Sequence, residues 1–392
     1  MTNVAETSLN RLRDRTAAGP SETDGSTSDA AAREAIATAV HRRLRPLLVR
    51  VAGRPGVGKS AVRAVLESAD LDADGLDVRV HESNEADNGA TARSTESADV
   101  DRSVGDVLVY VFAGAISPDD SAALTSPSRG AHNGTVVVLT KADTLDDPAA
   151  AAAAASEQLG LTVLPVMGTM AAGLRGSGRS GTPLVMDDVR TVAAADLGPA
   201  DLLTVERFQA ADIALSGRRR EDLVDCIELR GLALLVSALR RPTPVPSGRS
   251  AGSTPVPSGR SAGSTPVSSD DDLVQILVEA SGLDALVEAV SAAVSTAAAT
   301  RDADLHRSLR QIAAGHRHVR GAVESYLASD EAVAAEMRCA ALHLGVPIET
   351  GSEWETVQQA ALWKQRAATA KDSDVRRSAL ALCRGHVRLL GR

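Results

Sequence analysis

A chain of 392 residues with 44% apolar and 24% charged side chains has the composition of a soluble globular protein, long enough for two ordinary domains. Aromatic residues make up only 2%, so the core must come from Leu, Val and Ala, which favours close helix packing over a thick sandwich. The net charge of −9 argues against a nucleic-acid-binding protein, whose phosphate contacts need clustered Lys and Arg.

Cys226, Cys339 and Cys383 have no C-x-x-C spacing, as expected of reduced thiols in a cytoplasmic protein and not of a disulfide frame or zinc site. The first residues carry Glu6, Arg11, Arg13, Asp14 and Arg15 with no apolar stretch of the signal-peptide kind. The longest apolar candidate for a membrane span, 274–299, is interrupted by Glu279, Asp284 and Glu288.

Along the chain, residues 1–28 are rich in Ser, Thr, Gly and Asp and are expected to be a disordered tail. Asp29 is placed to cap a helix over 30–45, which Pro46 ends. A buried strand is expected at 47–52 and further strands at 78–80, 107–112, 136–139 and 162–164, with helical patterns at 61–68 and 147–158. Strands alternating with helices imply a parallel sheet covered on both faces. From 200 onwards the pattern is helical, with segments at 202–216 and 219–240, the second having an apolar stripe interrupted by Arg230. A tandem repeat of TPVPSGRSAGS begins at 243, and its Pro, Ser and Gly density makes 241–270 a linker. Four or five helices follow over 271–392. The expected division is thus a tail at 1–28, an α/β domain at 29–200, a helical connection at 201–240, the linker, and an all-α domain at 271–392.

The strongest local signal is Gly53-Arg54-Pro55-Gly56-Val57-Gly58-Lys59-Ser60, a full G-x-x-x-x-G-K-[ST] between an expected strand and helix. The chemistry requires this order. The glycines let the loop curl so that backbone N–H groups, through Val57 and on to Ala61, face a polyphosphate at a helix start. Lys59 reaches the β- and γ-phosphates, and the Ser60 hydroxyl completes the shell of a Mg2+ ion. The fold this implies is an α/β P-loop NTPase domain of GTPase-like kind.

Directly after the fourth strand stands Thr140-Lys141-Ala142-Asp143, matching the [NT]-K-x-D pattern that reads guanine. There the Asp143 carboxylate accepts from the N1 and N2 hydrogens of the base and the Lys141 stem packs over it, whereas adenine offers no matching donors. Lysine is scarce here: among 42 basic residues only Lys59, Lys141, Lys364 and Lys371 are lysine, and two of the four fall on the motif positions where arginine would not serve. After the fifth strand, the N–H groups of Gly168 and Thr169 are positioned to meet the guanine O6.

The D-x-x-G that normally follows the strand after the P-loop is missing. Asp72-Ala73-Asp74-Gly75 fits the letters but precedes the strand, and Glu82, at the strand's end, is the candidate replacement. Thr91 and Thr95 are candidate switch threonines, and Arg54 is either a further positive charge for the phosphates or a solvated side chain.

Taken together, these motifs resemble bacterial dynamin-like proteins, in particular the isoniazid-inducible family of actinobacteria. RPLLVRVAGRPGVGKS is similar to the family's first strand and P-loop, VLVYVFAGAISPDD to its strand before an acidic helix start, VLTKAD to its guanine motif and LPVMGTMAAGL to the strand and turn that follow. IELRGLALL, SGLDALVEAV, ALWKQRA and VRRSALAL resemble its helical stalk. The resemblance implies GTP binding and hydrolysis to GDP with Mg2+, association with a like or related GTPase, and action at the inner face of a membrane as a peripheral protein. Lys59, Ser60, Lys141 and Asp143 take the family's roles, with Thr140 at the first motif position. Trp354 and Trp363 are expected in helix cores, and His316 and His318, spaced i, i+2, on different faces.

Two functions stay open on this reading. One is a GTPase; the other is a GTP-binding partner subunit with little or no catalysis, which the missing D-x-x-G favours. A third, an ATPase of another P-loop class, differs in base preference.

Overall fold

The computed structural model describes residues 8–17, 27–71, 75–83, 106–125, 134–177, 181–240, 269–349 and 351–391. Helices α1 (Ser8–Ala17) and α2 (Thr27–Leu44) precede a sheet of five strands: β1 (Leu47–Ala52), β2 (Val78–Glu82), β3 (Val107–Ala113), β4 (Thr135–Thr140) and β5 (Val163–Pro165). All pair in parallel, in the order β2-β1-β3-β4-β5. Within and after it come α3 (Lys59–Ser68), α4 (Pro118–Thr125), α5 (Pro148–Leu159), α6 (Gly168–Leu174), α7 (Met186–Ala194), α8 (Val205–Ala210) and α9 (Gly217–Arg240). The remaining helices are α10 (Asp270–Ser281), α11 (Leu283–Gly315), α12 (Arg317–Leu327), α13 (Asp330–Leu344), α14 (Glu353–Thr369) and α15 (Ser373–Leu390).

The central strands β3 and β4 form where β-branched and other apolar residues run without interruption, because side chains on both faces are covered, whereas the edge strand β2 alternates and exposes Arg79 and His81. In β3, Val107, Val109 and Val111 point to one face, into a core shared with α3, α6 and α11; Leu108, Tyr110 and Phe112 point to the other, toward α4 and α5. The long α11 supplies Leu283, Leu286, Val290, Val294, Ala297 and Ala298 to the first of these cores. It is apolar enough for its length to pass as a membrane span, yet these side chains lie against the sheet. The helical segment after residue 270 and the sheet therefore share a core, with α10 and α11 packed onto elements that precede the repeat. A second core joins α6 to α10, a third joins α1 and α2 to the far end of α11 and to α12, and a fourth holds α13, α14 and α15 together.

All five expected strands are present. Several other expectations need correction. The tail is structured over 8–17, where Leu9 and Leu12 are buried against α2, α11 and α12. Asp29 lies inside α2, and its carboxylate accepts from His318 Nδ1 at 2.8 Å across to α12. The segment 202–216 is a short 3-10 turn, the six residues of α8 and an irregular stretch held by Arg220, whose guanidinium donates to the carbonyls of Phe208, Gln209, Ala211, Ile213 and Leu215. Beyond residue 269 there are six helices rather than four or five. Trp363 is in a core but Trp354 is 68% exposed. Thr91, Thr95, Asp72, Asp74 and the tandem repeat lie outside the described residues.

Candidate functional site

All five parallel strands deliver their carboxyl ends to one edge of the sheet, and the sequence-predicted residues that follow β1, β2, β4 and β5 gather there. The loop 53–60 leaves β1 and turns into α3. Gly53 has φ 147° and its Cα lies so close to β3 that a Cβ would stand 2.0 Å from the Val111 carbonyl oxygen; no other residue fits. Gly56 and Gly58 also have positive φ, and Gly58 caps α3 without a side-chain hydrogen bond. The first-turn N–H groups of α3, at Lys59, Ser60 and Ala61, thus keep the unmet donors and positive potential of a helix start. Lys59 is 4% exposed, and its Nζ donates across the loop to the carbonyls of Gly53 at 3.1 Å and Arg54 at 2.9 Å.

Arg54 is engaged. Its Nε and Nη2 lie 3.2 and 3.0 Å from the two oxygens of Asp120 on α4. Asp120 also accepts from the Tyr110 hydroxyl at 2.8 Å and from the Ser117 amide and hydroxyl at 2.9 and 2.8 Å. Burial alone would raise its pKa, but the bonds from Ser117 and Tyr110 and the Arg54 charge outweigh that and hold the carboxyl below the ordinary aspartate range. This network fixes the outer wall of the loop to the sheet.

Because β2 pairs with β1 in a register that sets Glu82 opposite Val51, Glu82 ends beside the start of α3. The Ser60 hydroxyl donates to Glu82 Oε2 at 3.0 Å. The two residues assigned to a metal by sequence thus meet, although 22 positions separate them.

The second motif reaches the same place from β4. Thr140 is 2% exposed and its hydroxyl contacts the carbonyls of Val57, in the loop, and of Phe112 at the end of β3. Lys141 then takes φ 54° and starts a 3-10 turn over Ala142–Thr144, with Asp143 half-buried. Arg230 of α9 donates from Nη1 to the carbonyls of Asp143 and Leu145 at 2.9 and 2.8 Å, fixing this turn from behind. Gly168 and Thr169 open α6, where a turn was expected. A Cβ on Gly168 would stand 3.1 Å from that of Ala61, so the starts of α6 and α3 abut.

Sequence reasoning missed Glu228. It interrupts α9 with φ 58° and ψ 169°, a backbone region that is essentially glycine's. Its carboxylate accepts from Thr169 and stands close enough to Asp143 for their charges to interact; burial first and Asp143 second push its pKa up. The only hint in the sequence is a Glu and an Arg two apart inside an apolar stripe. Comparison with protein-family models, curated proteins and solved structures finds no match.

Proposed function

We propose that this chain binds GTP and Mg2+ and hydrolyses GTP to GDP and phosphate, as a dynamin-like GTPase of P-loop type that associates with a like or related GTPase. The observation that carries the reading is the Thr140 hydroxyl on the Val57 carbonyl, which holds the base-reading turn against the phosphate loop. A nucleotide needs both at once: donors for its phosphates and, one sugar away, a carboxylate for its base.

The cradle of N–H groups at the start of α3 suits the β-phosphate, and the Lys59 ammonium, held by two carbonyls, is placed to exchange them for phosphate oxygens. Ser60 and Glu82 present a hydroxyl and a carboxylate oxygen, the hard donors Mg2+ takes alongside water and phosphate, so the residues fit that ion. When bound, Mg2+ would offset negative charge on the phosphates. Asp143 accepts from guanine N1–H and N2–H, and its turn is braced by Arg230. Water attack on the γ-phosphorus forms one P–O bond and breaks the bond to the β-bridging oxygen, which leaves with GDP; Lys59 stabilises the charge that develops.

A catalytically weak partner subunit is the second reading, favoured by the lack of D-x-x-G after β2. Titration with labelled GTP, GDP and ATP, followed by phosphate release, tests both. GTP preferred over ATP, lost in Asp143→Ala, with turnover abolished in Lys59→Ala, is the expected result. Tight GTP binding with turnover equal to that of Lys59→Ala favours the partner subunit, and equal affinity for ATP overturns the guanine reading.

A further inference from the structure

We propose that Glu228 is a second base-reading residue, whose carboxylate accepts the hydrogen of the guanine 2-amino group that Asp143 leaves over. The inference rests on the guanine reading above and goes beyond its two motifs, since Glu228 lies on α9, outside both.

Three observations meet at this residue. Its backbone, at φ 58° and ψ 169°, breaks a helix that would otherwise run on, and no glycine is there to ease it. Such a conformation is strained in a residue with a side chain and persists where the surroundings impose it. The break turns the carboxylate to Thr169 and the neighbourhood of Asp143, which are the residues assigned to O6 and to the N1–N2 edge. Finally, Oε2 is buried with no hydrogen-bond partner among the described residues. A buried carboxylate oxygen without a donor is costly, and the Asp143 charge acts against that of Glu228, so the site is one that gains by receiving donors.

Guanine supplies them in the right number. Its N1 and N2 carry three hydrogens on one edge. Asp143 has two oxygens and takes N1–H and one N2–H; the remaining N2–H, once buried, needs an acceptor of its own. Glu228 Oε2 is an acceptor lacking a donor. Hypoxanthine, which is guanine without the 2-amino group, keeps N1–H and O6 but gives Glu228 nothing. The residue therefore acts on specificity: it adds to the separation of GTP from ITP, to which Asp143 contributes through its own N2–H, while Asp143 also separates GTP from ATP.

The test is binding of labelled GTP, ITP and ATP with Mg2+ to the full chain and to Glu228→Gln and Glu228→Gly. Wild type should prefer GTP over ITP, and both variants should reduce that ratio by about tenfold or more, the range for a bond to a charged acceptor. GTP should remain ahead of ATP in both. Glu228→Gly should also melt no lower than wild type, because glycine takes this backbone conformation freely; a residue kept for structure alone would lose stability instead. An unchanged GTP-to-ITP ratio in both variants, or tighter GTP binding in Glu228→Gly, overturns the inference while leaving the guanine reading intact. Wild type that does not distinguish GTP from ATP overturns the guanine reading itself, and this inference with it.

Discussion

Thr140 and Val57, 83 positions apart, are joined by a single hydroxyl-to-carbonyl hydrogen bond. The same hydroxyl lies 2.9 Å from the Phe112 carbonyl, so one small side chain ties the ends of two strands to the glycine loop. Thr140→Val keeps the shape and removes the donor, leaving carbonyls in a buried place short of a partner. The expected cost is about 1–3 kcal/mol of stability, with roughly tenfold weaker GTP binding because loop and base turn lose their register. Thr140→Ser should restore most of both. Thermal denaturation and nucleotide titration measure the two effects; GTP affinity unaltered in Thr140→Val would show that the bridge does not couple the two halves of the site.

For the proposed Mg2+ binding, Ser60 and Glu82 give a separate handle. Glu82→Gln retains the size of the side chain and an acceptor for the Ser60 hydroxyl, but removes the charge. Nucleotide binding should then require about tenfold more Mg2+ for half-saturation, the lower end of what supporting metal-site groups contribute. Stability without nucleotide should move by no more than about 0.5 kcal/mol, because the Ser60–Glu82 bond is solvent-exposed. A Mg2+ titration that superimposes on that of wild type would remove Glu82 from the metal site.

Asp120 predicts a pH dependence. Its folded-state carboxyl titrates below the ordinary aspartate range, through the bonds from Ser117 and Tyr110 and the charge of Arg54, which exceed the opposing effect of burial. A depressed acid stabilises the fold in its ionised form, so the contribution is complete above the ordinary aspartate pKa and disappears as pH falls through the lower folded value. Asp120→Asn should cost about 2 kcal/mol at neutral pH. In urea unfolding followed from pH 7 downward, the gap between wild type and variant should hold until the ordinary aspartate range and close below it. A gap that stays constant into strong acid would mean that shape, not charge, is what Asp120 contributes.

The parts legible in the sequence were those dictated by neighbours in the chain. Runs such as VLVYVF and TVVVL have no other stable use than a strand covered twice, and the glycines of 53–58 mark a curl wherever the chain goes next. What escaped was set by distant contacts. The turn expected after β5, around Gly168 and Thr169, is instead the start of α6, against which Gly173 lets α9 come so near that a Cβ would stand 1.9 Å from the Cys226 carbonyl oxygen. Glu228 has no local breaker in the sequence to mark its break in α9. Leu9 and Leu12 are too short a stripe to predict a helix, and gain burial from the cluster formed with α2, α11 and α12. The place of α11 was equally hidden, because a helix beginning 118 positions after the last strand has no local reason to lie on the sheet.

What holds α11 there suggests the last experiment. At the amino ends of the strands, away from the glycine loop, Arg301 of α11 is 8% exposed and pairs with Asp106 through Nε at 3.1 Å and Nη2 at 2.6 Å. The same guanidinium donates to the carbonyls of Arg45 and Pro46, just before β1, while Asp106 also accepts from the Leu48 amide at 2.9 Å. Burial lowers the pKa of Arg301, and the Asp106 carboxylate opposes that shift. Arg301→Met keeps the apolar stem and leaves Asp106 buried without its countercharge, which typically costs about 3–5 kcal/mol. The loss should appear in global unfolding and not in the folded protein's affinity for GTP, expected within about twofold of wild type because distant sites contribute independently. Comparable losses in both would mean that α11 transmits strain through the sheet to the loop. Full stability in Arg301→Met would mean that the apolar contacts of α11 alone keep it on the sheet.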